Sequence, residues 1–318
     1  MTTDAPDELM PPPGVDVRRD EPLARHTYLR IGGPARWFAT PADLDELVRL
    51  LAWAEGRGLA VRAIGGGSNV LVSDEGVTAV VLSLRRACGE TRFEGTRVTA
   101  GAAVMLPALA RAAAEHGLGG FEFAVGIPGA VGGALQTNAG IGDGRCVGPL
   151  VRSVEVLDGA ERRTLPAEQL RFDYRTSSLR GSGLIVLSAT LELTERPREE
   201  AEAEMRRLLA ARSATQPTAQ PNAGSVFRNP PGDYAGRLVE AAGCKGAASG
   251  GAQVSELHAN FIVHDGGATA ADVAALMVMV QRRVLERFGV WLTPEVEWWG
   301  DGEPPEAWRG ALALDPSP

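Results

Sequence analysis

The segment GIPGAVGGALQTNAG, Gly126–Gly140, decides the predicted fold. Five of its fifteen residues are glycine, and such a chain loses much conformational entropy when it becomes ordered. Something should therefore order it, and a long cofactor lying against backbone amide groups is one candidate. A flexible surface loop is the alternative. The apolar residues Ile127, Val131 and Leu135 favour the ordered interpretation, because residues of these types are usually buried.

A second glycine segment, IGGGSNVLV at Ile64–Val72, lies between two predicted strands. Its three glycines let the backbone approach a ligand closely, and successive amide groups can cradle a phosphate. The segment does not match G-x-G-x-x-G, and no clear helix follows it. A Rossmann dinucleotide site is therefore weakly supported, and a plain tight turn is an equal alternative.

The elements around these segments alternate between strands and helices. TPADLDELVRLLAWAEGRG predicts a helix capped by Thr40, and VRSVEVLDGAERRTL predicts two strands about a turn at Asp158-Gly159. A helix over PREEAEAEMRRLLAARSATQP marks a domain boundary, and a later helix begins with a capping box at Thr269 and Asp272. The pattern predicts an α+β protein of two or three units.

Composition excludes several classes of function. The 318 residues carry a formal charge of −8, which provides no basic field for nucleic acid or an anionic membrane. The acidic start of the chain does not resemble a secretory signal, and no run is long enough to span a membrane. The cysteines Cys88, Cys146 and Cys244 show no metal-ligand spacing. We predict a cytoplasmic protein without a metal site.

Three short motifs carry polar groups suited to chemistry. NAGSVFRNP presents Ser225 behind a glycine, DYRTSS places Arg175 between an aromatic residue and hydroxyls, and PEVEWWG contains Glu295. Taken alone, Arg175 is better explained as a surface arginine. His258 could serve Ser225 as a base, but A-G-S-V-F is not the G-x-S-x-G nucleophile elbow. A serine hydrolase is therefore disfavoured.

Taken together, these motifs resemble the UDP-N-acetylenolpyruvoylglucosamine reductases, flavoenzymes of peptidoglycan precursor synthesis. The resemblance spans roughly Arg25 to Gly300. It rests on eight motifs in one order: TYLRIGGPARWF, IGGGSNVLVSDEG, GIPGAVGGALQTNAG, YRTSS, QPNAGSVFRNP, AGRLVEAAGCKG, VSELHANFIV and PEVEWWG. Each motif is weak alone, but eight in order form a specific signal.

The resemblance implies two α/β FAD-binding domains of the vanillyl-alcohol-oxidase-like type and a C-terminal α+β domain that binds the substrate. The corresponding division has residues 1–20 as a disordered tail, 21–85 and 86–205 as the two parts of the FAD-binding region, 206–300 as the substrate-binding domain, and 301–318 as a second tail. The implied reaction reduces UDP-N-acetylglucosamine enolpyruvate to UDP-N-acetylmuramate, with NADPH supplying the hydride through FAD. We expect a monomer.

The family's catalytic residues correspond to Arg175, Ser225 and Glu295. Arg175 would stabilise the negative charge that builds up on the substrate, and Ser225 would donate a proton to carbon. An ionised Glu295 would repel that charge, which implies a raised pKa or an orienting role. The residues expected to contact FAD are Gly65, Gly66, Gly67, Ser68, Asn69, Pro128, Gly129, Val131, Gly132, Gly133, Asn138, Ala139 and Gly140. The residues expected to contact the substrate are Tyr174, Arg212, Asn229 and Lys245.

The chain departs from the family pattern at three places. His26 replaces the usual asparagine ahead of the first motif, and Glu297 stands where a basic residue is frequent. No tyrosine follows Asn138-Ala139-Gly140. The spacing after YRTSS corresponds to the family's shorter type, which lacks an extra substrate-gating tyrosine loop.

Two other functions remain open on the sequence alone. One is another flavin oxidoreductase on the same fold, such as an alcohol or sugar oxidase, which often attaches its flavin covalently through a histidine. The other is a non-catalytic module that binds a sugar nucleotide. Release of a yellow cofactor on denaturation would argue against covalent attachment, and a colourless protein that FAD cannot reconstitute would favour the binding module.

Overall fold

The structure is a computed structural model that describes residues 10–314, with side chains to residue 310. Its helices are α1 Leu44–Glu55, α2 Leu106–Glu115, α3 Val131–Gln136, α4 Arg198–Thr215, α5 Ala235–Ala241, α6 Ala270–Phe288 and α7 Glu306–Leu314. Its strands are β1 Asp16–Pro22, β2 Pro34–Thr40, β3 Val61–Ile64, β4 Val70–Val72, β5 Val77–Ser83, β6 Thr91–Glu94, β7 Arg97–Gly101, β8 Leu118–Gly119, β9 Val151–Asp158, β10 Glu161–Pro166, β11 Phe172–Asp173, β12 Thr176–Ser177, β13 Ile185–Glu192, β14 Thr194–Glu195, β15 Ala248–Ser249, β16 Ala252–Val254, β17 Ile262–Val263 and β18 Glu297–Trp299.

Two sheets form the N-terminal two thirds of the described chain. The first has the strand order β1-β2-β5-β3, and the second has the order β10-β9-β13-β7-β6. Residues from both sheets share one apolar core. It contains Trp37 of β2 and Leu47 of α1 as well as Val98 of β7 and Val154 of β9. The predicted hairpin is present as the antiparallel pair β9–β10.

Each glycine segment lies beside one of these sheets. The first, Gly65–Asn69, connects β3 to β4, and the second contains α3. Part of the second segment is therefore an ordered helix and not a flexible surface loop. The side chains of Val131 and Leu135 hold this helix in the shared core, where each is no more than 2% exposed.

The C-terminal third has its own apolar core, built mainly around α6. As predicted, α6 starts with the reciprocal capping box of Thr269 and Asp272. This core also takes in Leu29, Ile31 and Leu71 from the N-terminal region. Strand β18 pairs in parallel with β4, and this pairing joins the two regions directly. The first residue of β18, Glu297, is paired with Val70, which follows the first glycine segment.

The expectation that residues 301–318 form a tail is wrong for much of that span. Helix α7 packs on α6, and the buried Gln281 side chain donates hydrogen bonds to the carbonyls of Leu292 and Ala307, at 2.8 and 2.9 Å. Trp308 also donates to the Val296 carbonyl at 2.9 Å. Burial of Ala307 and Trp308 was not evident, because their short segment follows a proline- and glycine-rich stretch.

The other tail, at the N-terminus, is only partly outside the described residues. Strand β1 pairs antiparallel with β2 from Asp16 to Pro22, so the disordered-tail expectation is wrong for residues 16–20. Residues 1–9 lie outside the described residues. Helix α1 begins later than expected, because the N-cap is Asp43, whose side chain accepts from Glu46 N–H, and not Thr40. The division at residues 85 and 205 stays a prediction.

No helix within residues 10–314 combines the length and apolarity needed to cross a membrane.

Candidate active site

Arg175 and Glu295 come together from residues 120 positions apart in the sequence. Arg175 Nε lies 2.8 Å from Glu295 Oε1, and the two side chains are only 20% and 17% exposed. The Arg175 Nε atom is buried and its N–H is not aligned on any described acceptor. The pair is therefore a close charge contact whose guanidinium retains hydrogen-bonding capacity.

Arg175 stands at the tip of a very short hairpin. Strands β11 and β12 form only two residue pairs, and Tyr174 and Arg175 make the turn between them. Arg175 has a φ of +57°, a left-handed conformation that is uncommon for a side chain of its size. Tyr174 places its ring 5.4 Å from the guanidinium carbon, and its hydroxyl accepts from Asn229 N–H at 3.4 Å.

Glu295 is placed by backbone pairing with the segment that contains Ser225. The Glu295 N–H donates to the Val226 carbonyl at 2.8 Å, and the Arg228 N–H donates to the Thr293 carbonyl at 2.9 Å. The buried Asn260 side chain exchanges two further hydrogen bonds with the backbone of Phe227, at 3.0 and 2.8 Å. Ser225 is therefore one residue away from the backbone partner of Glu295.

The electrostatic surroundings of Glu295 are strongly positive. Arg175, Arg180 and Arg228 all act on its carboxylate and favour its charged form. Desolvation by burial is the larger effect, and it raises the pKa of Glu295 above its ordinary value. A raised pKa extends to higher pH the range in which the carboxyl group is protonated, the form that can donate a hydrogen bond to an anionic substrate.

The raised pKa of Glu295 predicts how stability changes with pH. Because the folded state disfavours the charged carboxylate, the parent protein should lose stability relative to Glu295→Gln as pH rises from about 4 through the raised pKa. Thermal unfolding of both proteins between pH 4 and 8 measures this difference. The exposed Glu297→Gln variant controls for the loss of one charge. If the parent protein instead becomes more stable relative to Glu295→Gln as pH rises, the pKa of Glu295 is not raised.

Ser225 offers an unengaged hydroxyl on the segment whose backbone pairs with Glu295. Within residues 10–314 its side chain has no hydrogen-bond partner, and the residue is half-buried. Gly224, with a φ of +74°, turns the chain immediately before it, and Asn222 Oδ1 accepts from Gly224 N–H at 2.9 Å. The loop is held by its backbone while the hydroxyl remains available to a ligand.

The first glycine segment fits a bound phosphate. None of the backbone N–H groups of Gly65–Asn69 donates to an acceptor in the described part of the protein. Consecutive free amide groups of this kind form an anion-binding concavity. A Cβ at Gly67, where φ is +62°, would lie 1.9 Å from the His26 carbonyl oxygen. Only glycine allows this close approach.

The second glycine segment packs directly against the first. A Cβ at Gly66 would lie 3.1 Å from the Pro128 carbonyl oxygen, and one at Gly65 would lie 3.1 Å from Ala130 Cβ. The two segments therefore form one continuous backbone surface. Free N–H groups remain at Gly133, Asn138 and Gly140, whereas those of Gly129, Val131, Gly132 and Ala139 bond to backbone carbonyls and Pro128 has none. Any FAD contact made by Pro128, Gly129, Val131, Gly132 or Ala139 would have to use atoms other than the backbone N–H.

Comparison with known proteins identifies the family. Residues 216–299 match the profile described as UDP-N-acetylenolpyruvoylglucosamine reductase, C-terminal domain, and residues 35–162 match an FAD binding domain. UDP-N-acetylenolpyruvoylglucosamine reductase 2 of Symbiobacterium thermophilum is 48% identical over 285 residues, covering 89% of this chain and 92% of that protein. The chain belongs to the UDP-N-acetylenolpyruvoylglucosamine reductase family.

Other members of the reductase family give the same result. The enzyme of Moorella thermoacetica is 47% identical, over 91% of this chain and 95% of that protein. The crystal structure of the Thermus caldophilus reductase aligns with a TM-score of 0.75 at 37% identity, over 90% of this chain and 99% of that one. The predicted fold class is confirmed, and the chain is an FAD-containing oxidoreductase.

The remaining residues expected to contact the reductase substrate have varied surroundings. Asn229 Oδ1 accepts from Ala235 N–H at 3.0 Å at the start of α5. Lys245 pairs with Glu240 at 2.8 Å. Arg212 packs close to Gly126, where a Cβ would lie 3.4 Å from its Cδ, and within the described residues its guanidinium has no ion-pair or hydrogen-bond partner. Arg212 is therefore free to meet an anion beside the glycine surface.

Two departures from the reductase family pattern have structural explanations. His26 stacks on Phe38 with ring centroids 4.2 Å apart, and its Nε2 lies 2.8 Å from Glu21 Oε1. The hydrogen bond with His26 holds the pKa of Glu21 below its ordinary value. Glu297 is exposed, and its N–H donates to the Asn69 carbonyl at 3.0 Å. Neither side chain contacts Arg175 or Glu295.

The sequence did not reveal the importance of Arg228 and Asn260. Arg228 Nε is buried without a hydrogen-bond partner in the described residues, and desolvation lowers the pKa of its guanidinium. Its position next to Asn229 in NAGSVFRNP was the available signal. Asn260 lies in VSELHANFIV, but its contact with Phe227 spans 33 residues and no local pattern predicts it.

Proposed function

We propose that this chain reduces the enolpyruvyl group of UDP-N-acetylglucosamine enolpyruvate to the lactyl ether of UDP-N-acetylmuramate. NADPH is the reductant, and the reaction is a cytoplasmic step in peptidoglycan precursor synthesis that a monomer carries out. The proposal rests on the half-buried Arg175–Glu295 pair, at 2.8 Å, together with the free Ser225 hydroxyl on the segment whose backbone pairs with Glu295. Acid, cation and hydroxyl are the groups that this reduction needs.

FAD fits the continuous surface made by the two glycine segments. The free N–H groups of Gly65–Asn69 suit its pyrophosphate, and Gly133, Asn138 and Gly140 offer further donors. FAD bound there would supply the hydride chemistry, carrying a hydride from NADPH to the terminal carbon of the enolpyruvyl double bond. The glycines matter here because side chains would keep the backbone away from the cofactor.

Arg175 stabilises the charge that hydride addition creates. Negative charge builds on the carbon next to the reduced one and on its carboxylate, and a guanidinium stays charged at any relevant pH. The low exposure of Arg175 strengthens this interaction, since little water screens it. Arg228, which also acts on Glu295, adds a second positive charge to the same region.

Glu295 and Ser225 complete the handling of protons. Burial raises the pKa of Glu295, and in its protonated form Glu295 hydrogen-bonds and orients the substrate carboxylate without repelling it. Ser225 donates its proton to the enolate-like carbon, which is a strong enough base to accept it from a neutral hydroxyl. Ser225 therefore acts as an acid and forms no covalent bond to the substrate.

Steady-state NADPH oxidation tests this proposal. The purified protein, loaded with FAD, should oxidise NADPH rapidly only when the UDP-enolpyruvyl substrate is present, and each turnover should yield one UDP-N-acetylmuramate. UDP-N-acetylglucosamine, which lacks the enolpyruvyl group, is the matched control. Oxidation that is independent of the enolpyruvyl group and produces hydrogen peroxide would identify an oxidase instead. A protein that FAD cannot reconstitute would overturn the proposal.

A further inference from the structure

Two asparagines connect the glycine segments to the backbone of the Arg175–Glu295 pair. Asn69 ends the first segment, and its Nδ2 donates to the Glu295 carbonyl at 3.1 Å. The Asn69 carbonyl accepts from Glu297 N–H at 3.0 Å. The residue therefore holds the backbone on both sides of Val296, and with it the position from which the Glu295 side chain extends.

Asn138 makes the corresponding connection to Arg175. It is 7% exposed, and its Nδ2 donates to the Asp173 carbonyl at 3.0 Å while its Oδ1 accepts from Gly148 N–H at 2.9 Å. Asp173 immediately precedes the Tyr174-Arg175 turn. Asn138 itself has a φ of +45°, a conformation that asparagine tolerates better than most residues. Its side chain therefore hydrogen-bonds to the β11–β12 hairpin that carries Arg175.

The hairpin needs such support. Two residue pairs do not make a stable hairpin on their own, and the left-handed backbone of Arg175 is strained and persists only where surrounding contacts impose it. A second hydrogen bond joins β12 of the hairpin to the end of α3, where Ser177 Oγ donates to the Gln136 carbonyl at 3.2 Å. Both contacts lead to the end of α3, within the second glycine segment.

We propose that Asn69 and Asn138 are positioning residues that link each glycine segment to one member of the Arg175–Glu295 pair. Ordering of the two segments thereby fixes the geometry of the pair. This assigns their side chains a role different from direct cofactor contact. The proposal rests on the proposed function of Arg175 and Glu295, but the link itself is testable without catalysis.

Hydrogen exchange tests the Asn138 link. Asn138→Gly keeps the left-handed backbone accessible and removes both side-chain bonds. In the parent protein, loading with FAD should slow amide exchange across residues 172–178, and in Asn138→Gly exchange there should be at least tenfold faster and respond little to FAD. Gln253→Ala is the matched control, because it also removes an amide donor to a backbone carbonyl, that of Gly246, on strand β16 of the C-terminal region and without a change of charge. Unchanged exchange in Asn138→Gly would overturn the link.

The two half-reactions separate positioning from cofactor binding. Asn138→Gly and Asn69→Ala should retain FAD affinity within about threefold, but should slow flavin reoxidation by the enolpyruvyl substrate about 100-fold, the cost of misplacing a catalytic group by about 1 Å. Asn138→Asp, which keeps the Gly148 bond, replaces Asn138→Gly if that variant does not fold. Loss of FAD affinity in proportion to rate would overturn the proposal. A parent protein without enolpyruvyl reduction would instead refute the proposed function and leave the exchange result standing.

Discussion

Replacing Ser225 by alanine should slow flavin reoxidation by the enolpyruvyl substrate by roughly 100- to 10,000-fold, the usual cost of losing a positioned acid. Reduction of FAD by NADPH should stay close to the parent rate, because that half-reaction places no proton on carbon. The free hydroxyl next to the backbone partner of Glu295 is the structural basis for this expectation. Stopped-flow absorbance measures the two half-reactions separately.

Two further variants sharpen the Ser225 test. Ser225→Cys should recover part of the lost rate, since a thiol also donates a proton, and the exposed Ser213→Ala variant should leave both half-reactions unchanged. A nucleophilic serine would instead leave a covalent adduct that mass spectrometry of the trapped protein detects. If Ser225→Ala slows reduction and leaves reoxidation at the parent rate, Ser225 is not the proton donor.

Arg175→Lys should lower turnover by about 100-fold, as the loss of one well-placed donor to a developing anion does. Substrate affinity should change by less than about tenfold, because the charge remains while the planar fork is lost. The ratio of these two effects distinguishes transition-state stabilisation from simple binding. Turnover and the substrate dissociation constant must therefore be measured on the same preparation.

A neighbouring arginine provides the control for Arg175. Arg171 lies just before the same hairpin and its side chain is 81% exposed, so Arg171→Lys tests the same chemical change at a solvated position. It should alter neither quantity appreciably. Equal turnover in Arg175→Lys and the parent protein would remove Arg175 from the mechanism.

Local sequence patterns were sufficient for several of the helices and strands. The capping box of Thr269 and Asp272 predicted the start of α6, and Asp158-Gly159 predicted the turn between β9 and β10. Helix α7 was missed because its stability comes from contacts made elsewhere in the chain. The carbonyl of Ala307 meets Gln281, 26 residues away, and the pattern of a short segment contains no trace of such a partner.

The candidate site shows the same contrast. Eight motifs in order pointed to Arg175, Ser225 and Glu295, and folding brings Arg175 and Glu295 into contact. The roles of the two asparagines were not predictable, because glycine-rich neighbours suggest ligand contacts while Asn69 and Asn138 bond to backbone 226 and 35 residues away. Burial of Glu295 under three arginines likewise follows only from the packed structure.

Single turnover without oxygen tests whether the reduced flavin passes its hydride to the enolpyruvyl substrate. The bound FAD is first reduced with one equivalent of NADPH, and the UDP-enolpyruvyl substrate is then added anaerobically. We predict that the absorbance of oxidised flavin returns and that one UDP-N-acetylmuramate forms per FAD, whereas UDP-N-acetylglucosamine leaves the flavin reduced. Flavin that stays reduced with the enolpyruvyl substrate and is reoxidised only when air is admitted would contradict the account.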